Sequence, residues 1–370
     1  MELAASFTDF LTNIRPTKYQ RDELATGHAT LRTRLENDEV LSKIIVTTFL
    51  QGSYRRRTAN RPANDQRSDV DVIVVTKLAE SDYSPQAAMD LFVPFLEKYY
   101  KGKWHFQGRS IAIELSYVDL DLVITSAPSE AEAGILLSAA AKLDEGLEEF
   151  PDDWQLAKMV ATRSDYQHVM NAARPQWKVD PLRIPDRDAA IWEDTHPLAQ
   201  IEWTWAKNKA CNKHYVNVVK AIKWWRRVMV ATPEYPKGYP VEHLVGACCP
   251  DGITSVARGV TETLEKVVAQ FAFTVLLKEQ PDLRDHGVDV NVFKRVSAED
   301  FAAFYAHVVE AAKLARKALN ADTVKKSSDL WRELFGSKFP EAPEDETKSA
   351  GFTKRTDVAV VGSGRFARHA

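Results

Sequence analysis

The run Asp69-Val-Asp-Val-Ile-Val-Val restricts the fold of this chain more than any other feature. Its β-branched residues specify a strand, and the period of two puts Asp69 and Asp71 on one face with Val70, Val72 and Val74 on the other. Beyond the aspartates come Ile73, Val74 and Val75, the unbroken apolar pattern of a buried strand. Two like charges at the head of such a strand repel and raise each other's pKa unless a cation lies between them. A divalent cation is the natural partner, and hard carboxylate oxygens favour Mg2+. A solvated strand end is the plain alternative for an isolated Asp-x-Asp, so the neighbouring segments decide.

Upstream, residues 43–50 (KIIVTTFL) read as a strand that ends at Gln51-Gly52-Ser53. A glycine at that point lets backbone N–H groups approach a phosphate closely, and Ser53 adds a hydroxyl donor. Downstream, residues 111–126 (IAIELSYVDLDLVITS) carry a second acidic stretch. Alternation predicts that Ile111, Ile113, Leu115 and Tyr117 share a face with Asp119 and Asp121. A carboxylate from a neighbouring strand is what a two-metal site requires as its third protein ligand. Asp121 is the preferred candidate, and Asp119 is its rival.

At 370 residues the chain suggests roughly two packed units. Residues 1–40 read as helices, with Leu24, Leu31 and Leu35 at near-helical spacing and Pro16 in the first turn of the second helix. Residues 41–130 hold a small mixed sheet, with one amphipathic helix at 85–100. Residues 131–340 are expected to be almost entirely helical, most clearly at 135–149, 215–230, 256–277 and 299–319. Hydrophobic density falls in 341–370, where a mobile tail is predicted. Lys and Arg number 49 against 52 Asp and Glu, a net charge of −3, so this is no polybasic nucleic-acid or membrane coat. No apolar run approaches the ~20 residues of a membrane span, and the N-terminus lacks a basic-then-apolar start. Three cysteines, two of them adjacent, suit a reducing compartment. The expectation is an α+β protein of the cytoplasm.

Strand, Gly-Ser, a basic loop, Asp-x-Asp on a second strand, and a later strand with its own Asp follow in order. In this the chain resembles the polymerase-β-like nucleotidyltransferases. In the second half, VVKAIKWWRR (218–227), YPKGYPVEHLV (235–245) and the ending TVKKSSDLWRELFGSKFP (323–340) are similar to the bacterial CD-NTases. These are relatives of cyclic GMP-AMP synthase and oligoadenylate synthase. The resemblance spans about residues 51–340 and implies a sheet lobe and a helical lobe around a central cleft.

It also implies roles. Gln51, Gly52 and Ser53 would hold the donor triphosphate. Asp69 and Asp71 would bind two Mg2+ ions, with Mn2+ able to substitute, and Asp121 would bind the ion that activates the attacking hydroxyl. Lys223 stands where the family places a lysine that reaches the triphosphate. Gly238 before Tyr239 is a departure, because relatives often carry a serine there; phosphate contact at Gly238 and Tyr239 would fall to backbone N–H or be lost. The implied activity joins nucleoside triphosphates, ATP and/or GTP among them, into a cyclic di- or trinucleotide with release of pyrophosphate, in anti-phage (CBASS) signalling. An accessory protein acting on the C-terminal tail at Ala370 is the implied partner, and neither a membrane nor a stable nucleic-acid partner is expected.

Other features carry less. Arg55, Arg56, Arg57, Arg61 and Arg67 crowd the loop between the motifs, as phosphate clamps or as a solvated loop. Trp203, Trp205, Trp224 and Trp225 read mainly as core. Cys211, His214, Cys248 and Cys249 are four nominal zinc ligands, but they flank the Lys223 helix in the wrong arrangement and read as buried thiols and a surface histidine. Two rival functions stay open. A template-independent RNA or protein nucleotidyltransferase is mildly disfavoured by the net charge, and a catalytically silent nucleotide-binding protein is disfavoured by the intact aspartates.

Overall fold

The computed structural model describes residues 1–62, 67–128, 181–230 and 232–343. Two helices open the chain and serve different cores. Helix α1 (Ala4–Ile14) sinks Phe7, Phe10, Leu11 and Ile14 into a helical core. Helix α2 (Lys18–Glu36) lays Leu24, Leu31 and Leu35 on a sheet. Between them the Thr17 side chain accepts from Gln20 N–H while the Gln20 side chain accepts from Thr17 N–H. Such a capping box contributes about 1 kcal/mol. Pro16 therefore precedes the cap and does not sit in the first turn.

A short helix α3 (Leu41–Ile44) takes up Lys43, so the first strand starts later than its composition suggests: β1 spans Ile45–Gln51. The one-turn helix α4 (Gly52–Arg55) and strand β2 (Ser68–Thr76) follow. Where one helix was predicted at 85–100 there are two, α5 (Pro85–Asp90) and α6 (Val93–Tyr99). The break falls at Leu91-Phe92, just ahead of Pro94, whose missing N–H cannot continue the ladder. Strands β3 (Trp104–Phe106), β4 (Ile111–Glu114) and β5 (Val118–Thr125) complete a sheet of order β1-β2-β5-β4-β3. β2 and β5 are parallel, and the other neighbours are antiparallel.

Each face of this sheet has its own cover. Val70, Val72 and Val74 join Leu120, Leu122, Phe92 and the α2 leucines in one core. On the opposite face Ile73, Val75 and Val123 meet Leu182, Ile184, Leu198 and Ile201. Those partners come from a hairpin, β6 (Leu182–Asp186) and β7 (Ile191–Thr195), and from helix α7 (Pro197–Ala210). The hairpin corrects the expectation of nearly continuous helix beyond residue 130. Prolines at 181 and 185 suggested only turns, yet Pro185 sits in a two-stranded ribbon, where an absent N–H is tolerated at an edge. The predicted helix at 135–149 and the predicted tail at 341–370 lie largely or wholly outside the described residues.

The remaining helices match their predicted positions within a residue or two: α8 (Tyr215–Met229), α10 (Val256–Leu276) and α11 (Ala298–Leu319), with α9 (Tyr239–Cys248) and α12 (Val324–Phe335) beside them. Trp224, Trp225 and Trp331 are buried among them, so both members of the adjacent tryptophan pair serve the core. Among the described residues no helix is long and apolar enough to cross a membrane.

Candidate active site

The sheet face that carries Ile73 and Val75 is apolar at one end and acidic at the other. Parallel pairing puts Asp69 opposite Asp119 and Asp71 opposite Asp121, so four carboxylates occupy one face of two strands about 4.8 Å apart. The predicted grouping of Asp121 with Ile111 and Ile113 is wrong. A turn at 115–117 divides that segment into two strands and reverses the alternation. Ile111 then pairs with Leu122 and Ile113 with Leu120 in the core, while Ala112 lies opposite Asp121.

The four carboxylates are not equivalent. Asp119 accepts from Arg67 Nε at 2.7 Å, and Arg67 also reaches Glu114 at 3.4 Å. Asp71 and Asp121 form no ion pair at such range among the described residues. Burial, then Asp69 and Asp121, push the Asp71 carboxyl up to about 7. Burial, then Asp69 and Asp119, push Asp121 up to about 6. Arg67 thus distinguishes the two candidates for a third ligand: Asp119 is ion-paired, although burial still holds its carboxyl above the usual range, and Asp121 has no such partner.

Gly52 explains how the acidic face meets the loop that follows β1. It turns the chain out of β1 with φ +73°, and Gln51 lies opposite Asp71 across the β1–β2 ladder. A Cβ at residue 52 would stand 1.6 Å from Asp71 Oδ2 and 2.6 Å from its Cγ. Only glycine satisfies both the conformation and the contact. Ser53 follows in the first turn of α4, its carbonyl accepting from Thr58 N–H at 2.9 Å and Ala59 N–H at 3.1 Å. Gln51 Oε1, Ser68 Oγ and Asn60 Oδ1 are buried with no hydrogen-bond partner. Two of these, on Gln51 opposite Asp71 and on Asn60 in the cleft with Asp69, stand by an under-neutralised set of carboxylates and fit a hard divalent cation.

Among the described residues no three His, Cys, Asp or Glu side chains converge into a ready-made cage. A cation here would complete its shell with water and phosphate oxygens, which is the habit of Mg2+. The cysteines offer no alternative: Cys211, Cys248 and Cys249 are buried, and Cys211 Sγ lies 3.9 Å from Cys249 Sγ.

Across from the sheet, Lys223 on α8 is nearly buried, its Nζ donating to the Thr58 carbonyl at 3.3 Å and lying 3.5 Å from Glu242 Oε2. Burial lowers its pKa, opposed chiefly by Glu242. The Tyr239 hydroxyl donates to Asp285 Oδ1 at 2.5 Å, and its ring lies 4.7 Å from the Arg56 guanidinium. Gly238 caps α9 with φ +60°, is exposed, and has open space around its α-carbon. The structure therefore brings Gly52, Asp69, Asp71, Asp121 and Lys223 to one place. It ties Tyr239 there through Arg56 and leaves Gly238 at the edge. A cleft of about 310 Å³ opens beside Asp69, lined by Asn60, Arg67, Ser68, Asp119 and Arg227.

Sequence reading missed three residues. Arg227 follows Lys223 by one helical turn and shares its face; that spacing in VVKAIKWWRR was the available signal. Arg56 belonged to a loop read as phosphate-binding or solvated, but it is buried and paired with Glu242 at 2.7 Å. Glu242 itself carried no local signal, since its hydrogen-bond donors Arg56 and Thr58 lie about 185 residues away in the chain.

Residues 1–126 match the family described as "Second Messenger Oligonucleotide or Dinucleotide Synthetase domain". The chain is 48% identical over 381 residues to the "Probable cyclic AMP-AMP-GMP nucleotide synthase" of Salmonella paratyphi B, covering 99% of this chain and 100% of that protein. It is 46% identical, with the same coverage, to the "Cyclic AMP-AMP-GMP synthase" of Enterobacter hormaechei subsp. hoffmannii. Among solved structures it is similar in fold to the Bradyrhizobium diazoefficiens CD-NTase CdnG in complex with GTP, at 13% identity and a TM-score of 0.65, over 90% of this chain and 95% of that one.

Proposed function

The chain belongs to the bacterial CD-NTases, metal-dependent nucleotidyltransferases that synthesise cyclic oligonucleotides, and we propose that it joins two AMP units and one GMP unit into a ring using Mg2+. The base composition rests on the two relatives named as cyclic AMP-AMP-GMP synthases at 48% and 46% identity. The assignment of residues rests above all on one observation: the Asp71 carboxylate occupies the space that a Cβ at residue 52 would need, so the acidic strand and the loop after β1 are in direct contact.

In this reading Asp69, Asp71 and Asp121 hold two Mg2+ ions, with Mn2+ able to replace them. Bound there, the metal neutralises triphosphate oxygens and lowers the pKa of the attacking ribose hydroxyl. Gly52 and Ser53 present backbone N–H groups and a hydroxyl to the donor triphosphate, and Lys223 approaches it from the helical side. Arg67 keeps Asp119 out of the metal set. The ribose hydroxyl attacks the α-phosphorus in line and pyrophosphate leaves. Ring closure requires the cleft to hold a linear intermediate with its free hydroxyl near the last α-phosphate. Family membership also motivates a role in anti-phage signalling and an accessory protein acting at Ala370. Intact-mass analysis of the chain from cells that carry both proteins tests the latter.

The function is tested by incubating the purified protein with all four nucleoside triphosphates and Mg2+, then phosphatase, then mass spectrometry. The expected product is a phosphatase-resistant ring of two adenosines and one guanosine, absent from an Asp69→Ala/Asp71→Ala control. A ring of other composition overturns the base assignment. Linear oligomers or tailed RNA overturn the cyclase reading.

A further inference from the structure

The buried carboxylate of Glu242 takes no part in the mechanism above, yet two other chain segments converge on it. Its Oε1 accepts from Arg56 Nε at 2.7 Å, its Oε2 accepts from Thr58 Oγ1 at 2.7 Å, and Lys223 Nζ stands 3.5 Å from the same Oε2. Arg56 and Thr58 belong to the loop that follows the sheet's first strand, Lys223 to α8 and Glu242 to α9. The Glu242 and Arg56 side chains are 3% and 5% exposed. The Tyr239 ring covers Arg56 on one side, and its hydroxyl is fixed by Asp285.

The loop passes this anchoring on. Arg56 N–H closes on Gly52 O at 3.0 Å, and Thr58 N–H closes on Ser53 O at 2.9 Å. Holding Arg56 and Thr58 therefore holds Gly52 and Ser53. Lys223 donates to the Thr58 carbonyl, so the same carboxylate sets the lysine against the same loop. Glu242 does not line the cleft beside Asp69. A neutral side chain could accept the hydroxyl hydrogen bond, but it would leave two buried cations without a counter-charge.

We propose that Glu242 is a positioning residue: from the helical lobe it fixes Ser53 and Lys223 at a set separation, so that one triphosphate meets both. This rests on the nucleotidyltransferase reading for the identity of the ligand. Its test is an equilibrium one and needs no turnover. Calorimetry would give the Kd of Mg2+ with α,β-methylene-ATP, an analogue that cannot transfer its nucleotidyl group, for wild type, Glu242→Gln, Lys223→Ala and the double variant.

Each single change is expected to weaken binding by roughly 10- to 100-fold, and the double variant by far less than the product of the two. Glu242→Asp, which keeps the charge, should recover part of the loss. Additive losses would mean that Glu242 acts on the fold alone, and would overturn the proposal. If Glu242→Gln fails to fold by circular dichroism, Thr58→Val takes its place in the same cycle. It removes one hydroxyl while leaving the charges, with an expected loss of roughly 3- to 10-fold, again sub-additive with Lys223→Ala. Wild type that binds the analogue but makes no product from true substrates sinks the cyclase reading and leaves this test decisive. Wild type that binds no nucleotide sinks both.

Discussion

Asp71 is a half-buried carboxylate and Glu242 a buried one, and their surroundings drive them in opposite directions. Burial raises both. At Asp71 the next influences are two further aspartates, which outweigh Arg56 and Lys223, and the carboxyl rises to about 7. At Glu242 they are Arg56 and Lys223, which overcome burial and bring it down to about 2. A carboxylate paired directly with a protein cation is a structural charge, whereas one with no such pair and like charges beside it has room for a cation from outside. That contrast separates the assigned metal site from the joint that steadies it, within one small region of the molecule.

The largest effect should come from Asp71→Asn, with turnover falling by about 10³-fold or more. Its effect on the metal-free fold runs the other way. A carboxyl raised from 3.8 to about 7 binds more protons folded than unfolded, so its contribution to stability declines as pH climbs between those values. At pH 8 the metal-free variant should therefore be more stable than wild type, by at most a few kcal/mol, and Mg2+ should raise the melting temperature of wild type only. Gly52→Ala should come close behind in activity, by roughly 10²-fold or more, because its Cβ needs the space of Asp71 Oδ2 and φ is +73°. A fully active Gly52→Ala enzyme would break the link between loop and strand.

Glu242→Gln should behave as the mirror image of Asp71→Asn, lowering stability by about 3–5 kcal/mol near neutral pH. A carboxyl depressed from 4.5 to about 2 stabilises the fold above 4.5, and that contribution is lost as pH falls through this window. Denaturant unfolding of wild type and variant should accordingly converge toward pH 2. The smallest contrast lies between Asp121 and Asp119. Asp121→Asn should cost about 10²-fold or more in turnover, whereas Asp119→Asn, which releases only a half-exposed Arg67, should stay within about 10-fold. Equal losses would remove the distinction between the two aspartates.

The acidic strand was legible because a period of two assigns Asp69 and Asp71 to a face without help from the rest of the chain. Asp121 could be named from the order of motifs, but its face was misjudged through Ile111 and Ile113, since a turn at 115–117 resets an alternation that the sequence presents as continuous. The hairpin at 182–195 was hidden by Pro185, whose place in a strand depends on which of its edges has a partner. Glu242 was out of reach altogether. In α9 it is one acidic residue of an ordinary helix, and its meaning arises only where α8, α9 and the Arg56–Thr58 loop meet. Local pattern therefore revealed the chemistry, and long-range packing concealed what holds it in place.

The central claim is that Asp71 and Asp121 are kept without a direct ion pair so that a metal can enter with the nucleotide. Calorimetry of Mn2+ with α,β-methylene-ATP, at pH 6.5 and 8.5 in buffers of different ionisation enthalpy, counts the protons released on binding. The account predicts that wild type releases more protons than Asp71→Asn at pH 6.5, and that the difference vanishes at pH 8.5. Equal proton release by the two proteins at pH 6.5, with nucleotide bound in both, would contradict it.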